Sequence, residues 1–379
     1  MRLGVPIQAG ATLTRAQERG QAVAMVAEVV DAVVGVDTHR DSHQVEIAYP
    51  TGTSIATLTI SNDSAGFAEL LGWIFDHAPG PRLVVSIEGT RSYGAGLARA
   101  LAAAGLVVIE CEQPHRKARR GTGKSDPIDA HLAVLSALRC DADRVATPRA
   151  DGDREALRIL LGARHDLTTA HTAATNRLRA LLLGGDDTDR QTARGALSEP
   201  VLATLARRRS PRDADRAQAV RHGELRRLAV AVRETGRQLK TNRAELAAIV
   251  NDLAPGLTDR PGIGPVSAAQ VIISFSHPGR CRTDAAFAAL AGTSPLPASS
   301  GRTVRHRLNR GGDRALNRAI HTIALTRMRC CDRTRAYVAR RTAQGKTLRE
   351  IRRCLKRYIT RELYRALTAT MPPDTTTGA

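Results

Sequence analysis

Lysine is nearly absent from this 379-residue chain: only five of its 57 basic residues are Lys, and the rest are Arg. Aromatic residues are also scarce, at 3%. That argues against folds that read single strands by stacking bases on Phe and Tyr. The six Cys, at positions 111, 140, 281, 330, 331 and 354, show no CxxC spacing. Neither a zinc site nor a disulfide framework is indicated, and reduced thiols in a cytoplasm fit. No apolar run is long enough to span a membrane. The stretch "AVAMVAEVV" near the N-terminus is broken by Glu28 and is followed by no cleavage-like site, so neither a membrane span nor a signal peptide is expected. Acid is in deficit as well, with 37 Asp and Glu.

What is present begins with length and apolar content. A chain this long predicts two or three domains, and a hydrophobic fraction of 42% can build their cores. The formal charge of +20 and pI of about 10.9 point to a polyanion partner, nucleic acid above all. A GC-rich genome explains Arg in place of Lys, but not the excess of base over acid. That excess is concentrated: residues 302–365 hold 18 Arg and 2 Lys against Asp313, Asp332, Glu350 and Glu362, a net of +16. A charge run is ordinarily a solvated face. One this one-sided reads as a phosphate-binding surface.

Residues 1–30 read as an extension ending in a short helix. The next stretch, 31–150, is β-rich. "AVVGVD" (32–37), "HQVEIAY" (43–49) and "SIATLTI" (54–60) predict three consecutive strands, the first a continuous apolar run and the others alternating. Helix (61–78), strand (82–88), helix (92–105), strand (106–110) and helix (125–138) follow, giving the order βββαβαβα of an α/β domain. From 151 to 255 the strands disappear. Apolar residues at three- and four-residue spacing predict two long amphipathic, coiled-coil-like helices joined by a polar segment containing "RRRSPRDADR". A mainly helical region, 256–368, carries "DRPGIGPVSAAQVIISF" (259–275), with two glycines ahead of a helix, and a Pro-, Ser- and Gly-rich stretch (294–312) read as loop or short strands. A basic helical tail runs to about residue 368, and 369–379 are expected to be disordered.

The chemistry rests on four acids. Asp37 ends the first strand and Glu88 the fourth. Asp126 and Asp129 are spaced i, i+3, so they share one helix face. Neighbouring first and fourth strands would bring Asp37 and Glu88 together. Four converging carboxylates repel unless divalent cations neutralise them, and hard oxygen ligands suit Mg²⁺ or Mn²⁺. A pair of such ions can activate a nucleophile and stabilise a leaving oxygen at a phosphodiester. Taken singly, each acid also has a structural explanation. Asp37 would be a turn residue, Glu88 a solvent-facing strand end, and Asp126 with Asp129 an N-terminal capping arrangement with Pro127 in the first turn.

The stretches "GVDTHRD", "SIEGT" and "GKSDPIDAHLAV" resemble the DEDD-type insertion-sequence transposases, also called bridge-RNA-guided recombinases. Their N-terminal domain is similar to the RuvC Holliday-junction resolvase and shares the RNase H-like fold. The resemblance runs from about residue 33 to about 330. It implies that Asp37, Glu88, Asp126 and Asp129 are the metal-binding acids, with Mg²⁺ or Mn²⁺ as cofactor. "RPGIGPVSAAQVI" resembles a helix-hairpin-helix element, in which Gly262 and Gly264 would present free backbone N–H groups to a DNA phosphate. "LAGTSPLPASSGRTVRHRLNRGGDRALNRAI" matches the C-terminal domain of the same family. There, a serine in a Ser-Gly loop attacks DNA: Ser300, with Ser299 as the fallback. A serine hydroxyl needs activation. Arg302, Arg305, Arg307 and Arg310 would stabilise developing charge, and Arg314 would join them in holding DNA. The resemblance further implies an element-encoded guide RNA, a homodimer or homotetramer, and a cytoplasmic, nucleoid-associated protein without a membrane.

Three rivals fit less of the sequence. A stand-alone structure-specific nuclease would use only the four acids. A sugar kinase or actin-like ATPase wants a glycine-rich phosphate loop after the first Asp, which "DTHRDSH" lacks. A non-catalytic architectural DNA binder explains the charge but leaves the acids without a role.

Overall fold

The structure is a computed structural model. It describes residues 24–111, 126–142, 145–148, 152–278, 280–297, 306, 307, 309 and 311–371. They fall into two compact units. The first comprises the described parts of 1–155 with 275–283 and Met371, the second 156–274 with 284–370.

The first unit is built on a mixed five-stranded sheet. Its elements in chain order are α1 (Val26–Val29), β1 (Ala32–Thr38), β2 (Ser42–Ala48), β3 (Ser54–Ser61), α2 (Ser64–His77), β4 (Leu83–Glu88), α3 (Ala95–Ala103), β5 (Val107–Cys111) and α4 (Asp126–Leu138). The strand order is β3-β2-β1-β4-β5. β1 runs antiparallel to β2 and parallel to β4. This α/β topology is compatible with an RNase H-like domain, as the resemblance implied.

Both faces of the sheet are covered. One apolar cluster takes Val34 and Val36 of β1 and Val85 and Ile87 of β4 together with Leu70 and Ile74 of α2 and Leu97 and Leu101 of α3. The other takes Val33, Ala48, Val84 and Ile109 from the opposite side of the strands, with Val134, Ala137 and Leu138 of α4. Side chains alternate along a strand, so the two clusters assign a face to every sheet residue between them. Gly35 lies in the second face, and a Cβ there would stand 2.3 Å from the Ala130 carbonyl oxygen and 2.8 Å from Val134 N. Only glycine lets the backbone of α4 rest directly on β1.

The second unit is helical. Two long helices, α5 (Gly152–Leu183) and α8 (Arg216–Leu253), match the expected amphipathic pair. Two short helices, α6 (Asp187–Arg194) and α7 (Glu199–Arg207), fill the stretch that the sequence reads as a polar connection. Leu202 and Leu205 of α7 join Leu178 and Leu182 of α5 and Leu225, Leu228 and Val232 of α8 in one apolar cluster. Asp186 caps α6 by accepting a hydrogen bond from Asp189 N, while Pro200 stands in the first turn of α7.

Then come α9 (Pro265–Phe275), α10 (Asp284–Leu290), the strand pair β6 (Leu296–Pro297) and β7 (His306–Arg307), and α11 (Arg314–Cys330). The basic tail is two helices, α12 (Asp332–Ala343) and α13 (Leu348–Thr370). No helix among the described residues is long and apolar enough to cross a membrane.

Candidate active site

Asp37 is 6% exposed, so it is not a solvent-facing turn residue. The registers Gly35↔Ser86 and Val36↔Ile87 carry one step further to Asp37 beside Glu88, at the C-terminal ends of neighbouring parallel strands. By alternation, Asp37 falls on the face of Val33 and Gly35, and Glu88 on the face of Val84 and Ser86. Both therefore look toward α4. Thr38 Oγ1 donates to the Glu88 carbonyl oxygen at 2.8 Å and ties the two strand ends together. His39 Nε2 lies 3.3 Å from Asp37 Oδ2.

α4 carries the other pair. Asp129 is 5% exposed and directly precedes Ala130, the residue that rests on Gly35. Asp126 is the first residue of the helix, three positions earlier; its side chain lies outside the described residues. The sequence motif therefore places three described carboxylates in one sheet–helix interface.

A fourth described acid in that interface does not stand out in the sequence. Glu46 of β2 pairs across from Gly35 and is 5% exposed, and its Oε1 lies 2.9 Å from Nδ1 of His131 on α4. Cys111, opposite Glu88 on β5, is also buried, and burial pushes its thiol above the ordinary value.

The donor set is hard oxygen, the kind that suits Mg²⁺ or Mn²⁺ rather than zinc. Among the described residues alone, no three His, Cys, Asp or Glu side chains form a closed metal-holding group. Asp37, Glu88 and Asp129 face one interface without closing a ligand set by themselves, and Asp126 opens the same helix with its side chain outside the described residues.

The C-terminal candidates sit in the second unit. Gly262 has φ +77°, and a Cβ there would meet Arg327 Cγ at 3.0 Å and the Ile323 carbonyl at 3.1 Å. Close packing on α11 thus explains this glycine without a phosphate. The N–H of Gly264 is not free, because it donates to Ser267 Oγ at 3.1 Å. Arg327 fastens the same turn: its Nε donates to the Pro261 carbonyl at 2.7 Å and its two terminal nitrogens grip Glu362 at 2.7 and 3.0 Å. Arg307 and Arg314 are exposed.

Ser299, Ser300, Arg302, Arg305 and Arg310 lie outside the described residues. The anchors of the 298–305 segment are described: Pro297 pairs with His306 and Leu296 with Arg307. Below them, Asp313 N donates to the Leu290 carbonyl at 2.7 Å and Asn317 Nδ2 to the Ala291 carbonyl at 2.6 Å.

A sheet whose neighbouring strands carry Asp37 and Glu88 at their ends, followed by an arginine-rich helical unit, is the arrangement of an enzyme that works on nucleic acid. Comparison with known proteins specifies which. Residues 34–185 match the model of the DEDD-type IS110 transposases, and residues 255–339 match that of the transposase IS116/IS110/IS902 family. The 43.6 kDa protein of insertion element IS110 from Streptomyces coelicolor is 28% identical over 60% of this chain and 66% of its own length. A mini-circle protein of IS117 from the same organism, named for a transposase role, is 26% identical over 71% of this chain and 77% of its own. The 42 kDa protein of insertion element IS900 from Mycobacterium paratuberculosis is 26% identical over 82% and 89%. The chain belongs to the DEDD-type IS110 family of insertion-sequence transposases. A divalent-metal-dependent active site and DNA binding follow from that membership.

Proposed function

We propose that this transposase cuts and exchanges DNA strands with two sets of groups: the acids Asp37, Glu88, Asp126 and Asp129, and the hydroxyl of Ser300. The observation that carries the reading is that Asp37 and Glu88 lie at the ends of the adjacent parallel strands β1 and β4, whose register runs to Val36↔Ile87, on the face that α4 covers with Asp129. A bound Mg²⁺ or Mn²⁺ would supply charge neutralisation at the scissile phosphate. The protein's own part is to hold the carboxylates in place. Gly35 sets the depth at which α4 sits, and the Thr38–Glu88 bond fixes the strand ends.

Ser300 acts as the nucleophile. Its oxygen forms a bond to phosphorus, the strand's own sugar oxygen leaves with a proton, and the cut strand stays joined to the protein. Arg302, Arg305, Arg307 and Arg310 oppose the negative charge that builds on the phosphorus, and Arg314 holds backbone phosphate. The covalent link conserves the energy of the cut bond, so joining to a new end needs no external energy source. A structured guide RNA encoded by the element selects the DNA, and the working form is a homodimer or homotetramer.

The test is a denaturing gel of the full-length protein with a nicked or mismatched DNA substrate. A DNA-linked band is expected, absent in Ser300→Ala and at most weakened in Ser299→Ala. Loss of the band in Ser299→Ala alone moves the nucleophile by one position. Cleavage by the wild type without any such band removes the serine role and leaves a nuclease that uses water.

A further inference from the structure

The arginine excess of the second unit is not spread evenly over an outer face. A cavity of about 710 Å³ opens between one face of α13, the turn at Gly292–Pro295 and the base of the β6–β7 pair at Arg307. Among the described residues, seven Arg or Lys line it against a single carboxylate, Glu350. That carboxylate is already engaged, since it accepts from the backbone N–H and hydroxyl of Thr347 at 2.9 Å each.

Two of the cations are neutralised from outside the cavity: Arg361 Nε lies 2.6 Å and Arg357 Nη2 3.7 Å from the Asp284 carboxylate. The others are not. Lys356 is half-buried, its ammonium donates to the neutral Asn317 side chain, and among the described residues no carboxylate pairs with it. Burial lowers its pKa, as expected of a cation held out of water without a counter-ion. Arg341 Nε is buried with no hydrogen-bond partner among the described residues. Arg353 and Arg307 are exposed at the wall. On the same wall stands Tyr358, 55% exposed, its ring braced edge-on by Tyr337 at 5.9 Å and 86°.

Cations desolvated without counter-ions cost stability, and a fold keeps such an arrangement where a ligand supplies the missing charge. The volume lies within the range that encloses a small ligand, well above that of a bare phosphate. An aromatic face beside a half-buried ammonium that lacks a carboxylate partner among the described residues suits a nucleobase attached to its phosphate.

We propose that this cavity is a seat for one unstacked nucleotide of a single strand, with Lys356 and Arg353 on the phosphate and the ring of Tyr358 against the base. This deepens the transposase reading, because the cavity borders the anchors of the segment that carries Ser300. It also shows how a chain poor in aromatics can hold single-stranded nucleic acid with one tyrosine. The ligand chemistry, a nucleoside phosphodiester, is common to DNA and RNA.

The test is fluorescence anisotropy of the full-length protein with labelled single-stranded DNA, single-stranded RNA and duplex DNA of one sequence. Lys356→Met keeps the side-chain stem and removes the charge. It should weaken single-strand binding about tenfold and flatten the log–log salt dependence by about 0.7. Tyr358→Ala should weaken it about tenfold, with Tyr358→Phe near wild type. An oligonucleotide carrying abasic sites should lose affinity for the wild type and no more for Tyr358→Ala. The better-bound of the DNA and RNA strands identifies the source. If Lys356→Met lowers the melting temperature, Arg353→Gln at its exposed position replaces it as the deciding variant. Unchanged single-strand affinity in Arg353→Gln and Tyr358→Ala, or losses confined to duplex, overturns the proposal. Binding needs no strand cleavage, so this failure would leave the covalent-intermediate test of the transposase chemistry untouched.

Discussion

The two units treat charge in opposite ways. In the sheet unit the notable charges are carboxylates, and they are buried: Asp37, Glu46 and Asp129 are 5–6% exposed. In the helical unit the notable charges are guanidiniums, most of them exposed on α11, α12 and α13. A buried carboxylate loses its hydration and depends on its partners, such as His39 for Asp37 and His131 for Glu46, whereas an exposed arginine costs the fold little. The sheet unit should therefore lose chemistry sharply on single substitutions, with much smaller changes in stability. The helical unit should lose binding gradually, one phosphate contact at a time.

The largest expected effect breaks the comparison at its acidic end. Asp37→Asn, Glu88→Gln and Asp129→Asn should each lower strand cleavage on the order of a thousandfold, the scale of removing one electrostatic stabiliser. DNA affinity should change little. Asn and Gln keep the shape of the acids and most of their hydrogen-bonding capacity, so thermal melting should stay near level. Variants that lose melting temperature and DNA affinity together would show that these acids serve the fold. Chelation with EDTA should inhibit the wild type, and added Mg²⁺ or Mn²⁺ should restore it.

Next comes the contact that sets the site's geometry. Gly35→Ala places a methyl group 2.3 Å from the Ala130 carbonyl. Overpacking of that kind costs about 1–3 kcal/mol, measurable by denaturant melts, and cleavage should fall further than stability because α4 carries Asp129. Gly72 of α2 provides the control. A Cβ there has nothing within 4 Å, so Gly72→Ala should raise stability by roughly 0.5–1 kcal/mol.

A single buried cation in the helical unit behaves like the acids of the sheet unit. Arg327 is 9% exposed and holds both Glu362 and the Pro261 carbonyl. Arg327→Met should cost about 2 kcal/mol, less than a fully buried pair because Glu362 is partly exposed. Burial pushes the Glu362 carboxyl up, but the guanidiniums of Arg327 and Arg260 outweigh it and hold it below its ordinary 4.5. Its contribution is therefore complete above about 4.5 and is lost as pH falls through the depressed value. Acid melts of the wild type should show this loss, and Glu362→Gln should flatten it. An unchanged acid limb in Glu362→Gln would mean that the pair contributes nothing measurable.

The same contrast explains what is legible in the sequence. Every strand of the sheet unit can be read there because the runs "AVVGVD", "SIATLTI" and "LVVSIE" carry their own apolar pattern, and the strand-end acids stand out against it. Glu46 does not. In "HQVEIAY" the alternation assigns His43, Val45 and Ile47 to the core and Glu46 to the opposite face, which alone reads as solvent. That face is closed by α4, some 80 residues later in the chain, and no local pattern announces it. The short helices α6 and α7 escape for a related reason. α6 is too polar, and α7 too short, for periodicity to stand out; α6 is capped by Asp186, and both pack against the apolar cluster that includes α8. Gly262 and Gly264 read as a pair for phosphate, but their neighbours Arg327 and Ser267 show that one is required by packing and the other has its N–H engaged.

The smallest effect sharpens the comparison from the basic side. Arg314 is exposed and opens α11, where the helix dipole disfavours a cation. Stability gives no reason for an arginine there, whereas a phosphate in front of the helix would. Arg314→Gln should leave melting level or raise it by a few tenths of a kcal/mol. It should weaken duplex DNA binding about two- to fivefold at moderate salt and reduce the log–log salt slope by about 0.9, the share of one phosphate. Truncation before residue 302 would test the whole basic region at once but removes α11–α13 and with them much of the unit's core, so single exposed positions give the cleaner measurement. A salt slope identical to wild type would assign Arg314 to the solvated face and place the phosphate contacts elsewhere on the unit.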